Sequence, residues 1–202
     1  MLGRPRLGPI DLKNFESIES QHNSMPDYLQ MYIVDGAFDI PRMLDDDYFQ
    51  AIKLLFNAGK YVSASKLLMS FIDTMSFVEY GDTPANFTNW LDEFVDLASV
   101  GVTSNEIWEF RNGIVHTTSP DSRKVVAGKV SRIFLYVGGM FSDIVLKEGC
   151  RFLDLRAFIH LISKSLPKWI ESYNVKPEKF LNFIPRYDSI ISDTRIAVMV
   201  KC

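Results

Sequence analysis

Between Tyr61 and Val78, apolar residues recur at helical spacing: Ala64, Leu67, Leu68, Phe71, Ile72, Met75 and Val78. A stripe this continuous has to be buried against other elements. It predicts a long core helix in a helical bundle, not a cofactor box. A short link through Gly59 joins it to a preceding helix that starts after Leu44, so the two form an antiparallel hairpin. Asp45, Asp46 and Asp47 fit an N-cap and an acid-loaded first turn. Ile52, Leu55 and Phe56 supply the inner face of that helix. Asp73 is the only acid inside the long helix and points away from its stripe.

The rest of the chain follows the same pattern. Phe87, Trp90, Leu91, Phe94 and Val95 predict a helix from about Thr88 to Ala98. Thr103-Ser104-Asn105-Glu106 matches a capping box and starts another, which ends near Thr117 to Pro120. Lys129–Val137, Gly138-Gly139 and Asp143–Leu146 predict a β-hairpin of two short strands. A long helix resumes near Asp154, with Pro167 expected to kink or split it. Phe180–Phe183 reads as a helical turn and Ile196–Val200 as a strand. Residues 1–43, broken by Pro5, Pro9, Pro26, Gly36 and Pro41, read as an N-terminal arm with a short helix over Asp11–Ser20. Residues 44–202 read as one domain. The expected class is all-α, with a small hairpin inserted before the last long helix.

Composition narrows the function classes. An apolar fraction of 47% and an aromatic fraction of 13% fill a sizeable core. A net charge of −3 gives no bulk argument for a polyanion partner, but leaves room for a local basic patch. Arg123, Lys124, Lys129 and Arg132 form such a stretch; they suit contacts to an RNA backbone, and equally a solvated loop. Cys150 and Cys202 have no pair motif, and His22, His116 and His160 are scattered. That argues against a disulfide scaffold or a metal site, leaves no cofactor expected, and suits a reducing cytoplasm. The N-terminus lacks the apolar core of a secretory signal, and no stretch approaches the ~18 apolar residues of a membrane span.

One stretch breaks the pattern: Trp108-Glu109-Phe110-Arg111-Asn112-Gly113-Ile114-Val115-His116. At about 100° per residue, Ile107, Trp108, Phe110, Ile114 and Val115 share one arc, and Arg111 falls near its middle. Glu109 and His116 lie on the far side. A guanidinium on such a face is costly unless paired. Glu79, Glu106 or Asp73 could pair with it inside the bundle, although spacing forces none of them to. Otherwise the face lines a cleft that uses a fixed positive charge. Asn112 and His116 are four apart, so an amide can orient an imidazole. The helix C-terminus favours imidazolium. Gly113 bares the backbone to a ligand or a second helix. These groups suit metal-independent RNA cleavage. The histidine takes the ribose 2′-hydroxyl proton, and the arginine holds the phosphate. The leaving oxygen needs a second acid, so the mechanism asks for two copies of the chain with the cleft between them.

Arg111-Asn112-Gly113-Ile114-Val115-His116 resembles the signature of the HEPN superfamily (higher eukaryotes and prokaryotes nucleotide-binding domains). That signature is an arginine, four to six residues, then a histidine, often with a polar residue directly after the arginine. The resemblance covers about residues 45–175. It implies a bundle of four or five helices and a metal-independent endoribonuclease with a composite dimer site. Arg111, Asn112 and His116 would be its catalytic residues. It also implies RNA as substrate, a homodimer through the helix of residues 103–117 and, for toxin members, a protein antitoxin. Other members are non-catalytic and bind RNA, nucleotides or proteins. One branch carries a tyrosine two residues after the histidine, where this chain has Thr118.

Overall fold

The computed structural model describes residues 10–11, 26–138 and 149–199. The chain is mostly helical. A two-residue strand β1 (Ile10–Asp11), a helical turn α1 (Asp27–Gln30) and strands β2 (Ile33–Val34) and β3 (Ala37–Phe38) come first. β3 pairs antiparallel with both β1 and β2. The helix expected over Asp11–Ser20 lies, beyond Asp11, outside the described residues. Leu29, Tyr32, Phe38, Ile40 and Met43 are buried in the same core as the helices that follow.

Helix α2 (Ile40–Leu44), a π-helical turn (Asp45–Phe49) and α3 (Gln50–Asn57) follow without a break. The expected start after Leu44 is therefore corrected. Asp39 is the N-cap, its carboxylate accepting from the Arg42 N–H at 3.0 Å, and Pro41 sits in the first turn, where its missing N–H costs nothing. The aspartates lie inside the helical run rather than at its head. Asp45 pairs with Lys53 at 3.2 Å, and the Tyr187 hydroxyl donates to Asp47.

Helix α4 (Tyr61–Tyr80) is the predicted core helix, with Ala64, Leu68, Phe71, Ile72, Met75 and Val78 buried. α5 (Asn86–Phe94) leads through a 3-10 turn (Leu97–Val100) to α6 (Ser104–Thr117), which ends in Thr118. After the turn α7 (Arg123–Val126), strand β4 (Arg132–Tyr136) pairs with β5 (Cys150–Asp154), Arg132 opposite Cys150 and Tyr136 opposite Asp154.

The β4–β5 pair is parallel. The partner of β4 among the described residues is thus a strand the sequence did not announce, and parallel neighbours need a crossover rather than a tight turn. The second strand expected at Asp143–Leu146 lies outside the described residues. Asp154 caps α8 (Leu155–Val175), accepting from the N–H groups of Arg156 and Ala157 at 2.8 and 3.2 Å. α8 runs through Pro167 without splitting. A 3-10 turn (Pro177–Lys179) and α9 (Phe180–Met199) follow, so the strand expected at Ile196–Val200 is helical through Met199.

The core is threaded by aromatic rings. Phe71 meets Trp90 (6.5 Å between centroids), Trp90 meets Trp169 (6.4 Å), and Trp169 meets Phe183 (6.3 Å). This path ties α4, α5, α8 and α9 together, and Phe38 of β3 packs on Phe183 at 6.0 Å. Each such pair adds about 0.5–1.5 kcal/mol beyond its buried area. Among the described residues, no helix is long and apolar enough to cross a membrane.

Candidate functional site

Helix α6 begins as its sequence predicts. The Thr103 N–H donates to Glu106 Oε2 at 2.8 Å, and the Glu106 N–H donates back to Thr103 Oγ1 at 3.3 Å. This capping box, with Ile107, Phe110 and Ile114 buried, fixes the rotation of α6 against its neighbours. Arg111 is thereby turned toward α4, where Asp73 waits two turns from that helix's end.

Arg111 Nε donates to Asp73 Oδ2 at 2.7 Å, and Nη2 lies 2.7 Å from the same oxygen in an ion pair. Arg111 Nη1 lies 3.2 Å from Asn112 Oδ1 and 3.2 Å from His116 Nε2. Trp108, one turn back, lies under the guanidinium at 5.3 Å and packs on Phe87. A guanidinium is always a donor, so in this arrangement Nε2 accepts and the ring proton sits on Nδ1. Nε, Nη1 and Nη2 of Arg111 thus each face a partner. Only 19% of the Arg111 side chain is exposed, whereas His116 is at the surface.

The Arg111, Asn112 and His116 side chains are brought together, but differently from expectation. Asn112 serves Arg111 rather than the imidazole. Asp73 neutralises Arg111, so the charge does not stand alone on an apolar face. Burial pushes the Asp73 carboxyl above its ordinary 3.8, against the hydrogen bond and charge of Arg111 and the charge of His116. Of the other acids, Glu106 serves the cap and accepts from Arg151 Nε at 3.3 Å. Glu79 pairs with Lys179 at 2.6 Å. Glu109, placed on the solvent side by the helical wheel, is 4% exposed and pairs with Lys124 at 2.9 Å.

Gly113 is approached by this chain's own backbone. A Cβ there would overlap the Ser119 carbonyl oxygen, because the segment after α6 folds back over the helix. Thr118 makes that reversal in the left-handed region, at φ 59° and ψ 22°. Its hydroxyl accepts from Lys66 Nζ at 2.7 Å. The sequence reading did not single out Lys66. It lies seven residues before Asp73, two turns up the same face of α4.

The four basic candidates separate into two kinds. Lys124 is held by Glu109, and Arg132 by Asp121 at 2.5 Å, with its guanidinium 5.7 Å from the Phe134 ring. Arg123 and Lys129 are exposed and take part in no ion pair among the described residues. A separate cleft of about 520 Å³ lies at the other end of α4. Three of its cations hold the fold: Lys179 pairs with Glu79, Lys168 donates to the Glu93 carbonyl, and Arg186 Nη1 donates to the Val78 and Glu79 carbonyls.

Compared with protein-family models, with curated proteins and with solved structures, the chain returns no match.

Proposed function

We propose that this chain is a metal-independent endoribonuclease of the HEPN type, built as a helical bundle of that kind. The observation carrying the reading is the 3.2 Å approach of Arg111 Nη1 to His116 Nε2, with the guanidinium anchored on Asp73 from α4. Arginine and histidine thus share one small site at the exposed end of a helix. That is what cleavage through the ribose 2′-hydroxyl needs.

In the proposed reaction an incoming phosphate takes the Nη1 hydrogen bond now given to His116. Nε2 is then free to remove the 2′-hydroxyl proton. The 2′-oxygen bonds to phosphorus and the bond from phosphorus to the 5′-oxygen breaks. Arg111 stabilises the charge on the phosphoryl oxygens. The 5′-oxygen takes its proton from the imidazolium of a second copy's site, leaving a 2′,3′-cyclic phosphate and a 5′-hydroxyl. The exposed Arg123 and Lys129 would follow the strand beyond the cut. The working unit is a homodimer through α6, with a protein antitoxin as a further partner of the toxin class.

A second reading is a non-catalytic HEPN module that binds RNA, a nucleotide or a protein. It is favoured by the Asp73 pair, which already cancels the Arg111 charge. Cleavage of a structured RNA in EDTA by wild type, Arg111→Ala and His116→Ala separates the two. Loss of cleavage in both variants supports catalysis; equal activity in all three sinks it. Absence of cleavage, with RNA binding lost only in Arg111→Ala, favours the binding module.

A further inference from the structure

At the His116 end of α6 the site lacks an uncompensated positive charge of its own. Arg111 and Asp73 sum to zero, and an imidazole that accepts from Arg111 adds no charge of its own. Lys124 and Arg132, further along the chain, are each matched by a carboxylate. A phosphodiester carries a full negative charge and is drawn to a cation that is not already spent.

Lys66 is such a cation. Among the described residues it takes part in no ion pair, and its partner is the neutral hydroxyl of Thr118 at 2.7 Å. One N–H of the ammonium goes to Thr118, leaving two for phosphate oxygens. Thr118 lies two residues beyond His116. Its backbone conformation, φ 59° and ψ 22°, is one that β-branched residues rarely adopt and that glycine usually fills at helix ends. Threonine in that place supplies the hydroxyl that holds the Lys66 ammonium of α4 at the end of α6. Asp73 and Lys66, two turns apart on one face of α4, thus meet α6 at different points: the first anchors Arg111, and the second stands uncompensated at Thr118, two residues beyond His116.

We propose that Lys66, held by Thr118, is the substrate-binding residue that receives a phosphate of the RNA strand at the His116 site. The proposal rests on the ribonuclease reading above and gives the site a charge that Arg111 no longer has free. Lys66 binds the strand in ground and transition state alike, so its loss raises KM and leaves kcat nearly unchanged.

The test is RNA binding and steady-state cleavage by full-length wild type, Lys66→Ala, Lys66→Arg and Thr118→Gly over a range of salt. Unfolding curves are recorded alongside to show that each variant is folded. Loss of one contact to single-stranded RNA lowers the slope of log affinity against log salt by about 0.7, or about fivefold in affinity near 0.1 M salt. Lys66→Ala should show that loss, Lys66→Arg should keep most of the affinity, and Thr118→Gly should fall between them. Wild-type affinity, salt slope and KM in a folded Lys66→Ala overturn the proposal, and the ribonuclease reading stands if Arg111→Ala and His116→Ala are still inactive. A wild type that neither binds nor cleaves RNA overturns both.

Discussion

Asp73 Oδ2 accepts from Arg111 Nε at 2.7 Å and lies 2.7 Å from Nη2, across the packed faces of α4 and α6. The pair decides how the guanidinium is oriented, and thereby which of its hydrogens reach His116. Asp73→Ala leaves a largely covered guanidinium without its counter-charge. It should destabilise the fold by about 1–3 kcal/mol. The double variant Asp73→Ala/Arg111→Ala should recover part of that loss in urea denaturation. A double variant whose cost equals the sum of the two single ones would show that the residues are uncoupled.

The raised Asp73 carboxyl predicts a direction with pH. The folded chain keeps the proton at pH values where the unfolded chain has lost it. The Asp73 contribution is therefore fully present below 3.8 and is lost as pH rises through its raised folded value. Asp73→Asn keeps an oxygen for Arg111 but does not titrate. The stability of wild type minus that of Asp73→Asn should fall as pH rises from 3.8 through the folded value, then level off. Denaturation midpoints over this range that widen in favour of wild type would contradict the assignment.

Gly113→Ala should run against helix propensity. An exposed helical glycine gains about 1 kcal/mol on becoming alanine. Here the new methyl group meets the Ser119 carbonyl, part of the backbone, which has no rotamer to move away. Destabilisation of about 1–3 kcal/mol is expected from the overlap. A higher melting temperature for the variant would show that the segment after α6 does not lie on Gly113.

Thr118→Gly should stabilise the fold by about 1 kcal/mol, because glycine takes the left-handed conformation without penalty. Thermal unfolding measures the gain. An unchanged or lower melting temperature would mean that the threonine hydroxyl contributes more to the fold than its backbone costs.

Glu79 carries the opposite end of α4. Its carboxylate accepts from Trp169 Nε1 at 2.9 Å and from the Tyr173 hydroxyl at 3.2 Å, and pairs with Lys179. Glu79→Ala strands three donors and should cost about 3–5 kcal/mol. Burial and the Glu79 charge also hold the Tyr173 phenol well above its ordinary value. Glu79→Gln should bring its ionisation down in an ultraviolet titration; an unmoved Tyr173 would refute the contact.

The sequence by itself determined the long helices of the middle of the chain and most of their apolar faces. Period-3.6 patterning, the Thr103–Glu106 capping box and the Asp154 cap are local, because each rests on residues within one or two turns. The same locality made Arg111, Asn112 and His116 readable as a group on one helix. Only the tertiary structure decided what each of them touches. Asp73 is 38 positions from Arg111 and Lys66 is 52 from Thr118, distances at which no periodic signal survives. The strand over Arg132–Tyr136 was legible, but its parallel partner at Cys150–Asp154 was not. A strand's alternation says which side is buried, not which neighbour it pairs with or in which direction. The Asp39 cap was masked by the Pro41 that follows it, and the tail helix by Pro185 and by a β-branched run whose local preference is for strand. The buried Glu109 escaped the helical wheel because its partner, Lys124, comes from a turn that folds back only once α6 has ended. Local patterning set the elements; the way α4 and α6 pack set the charge balance of the site.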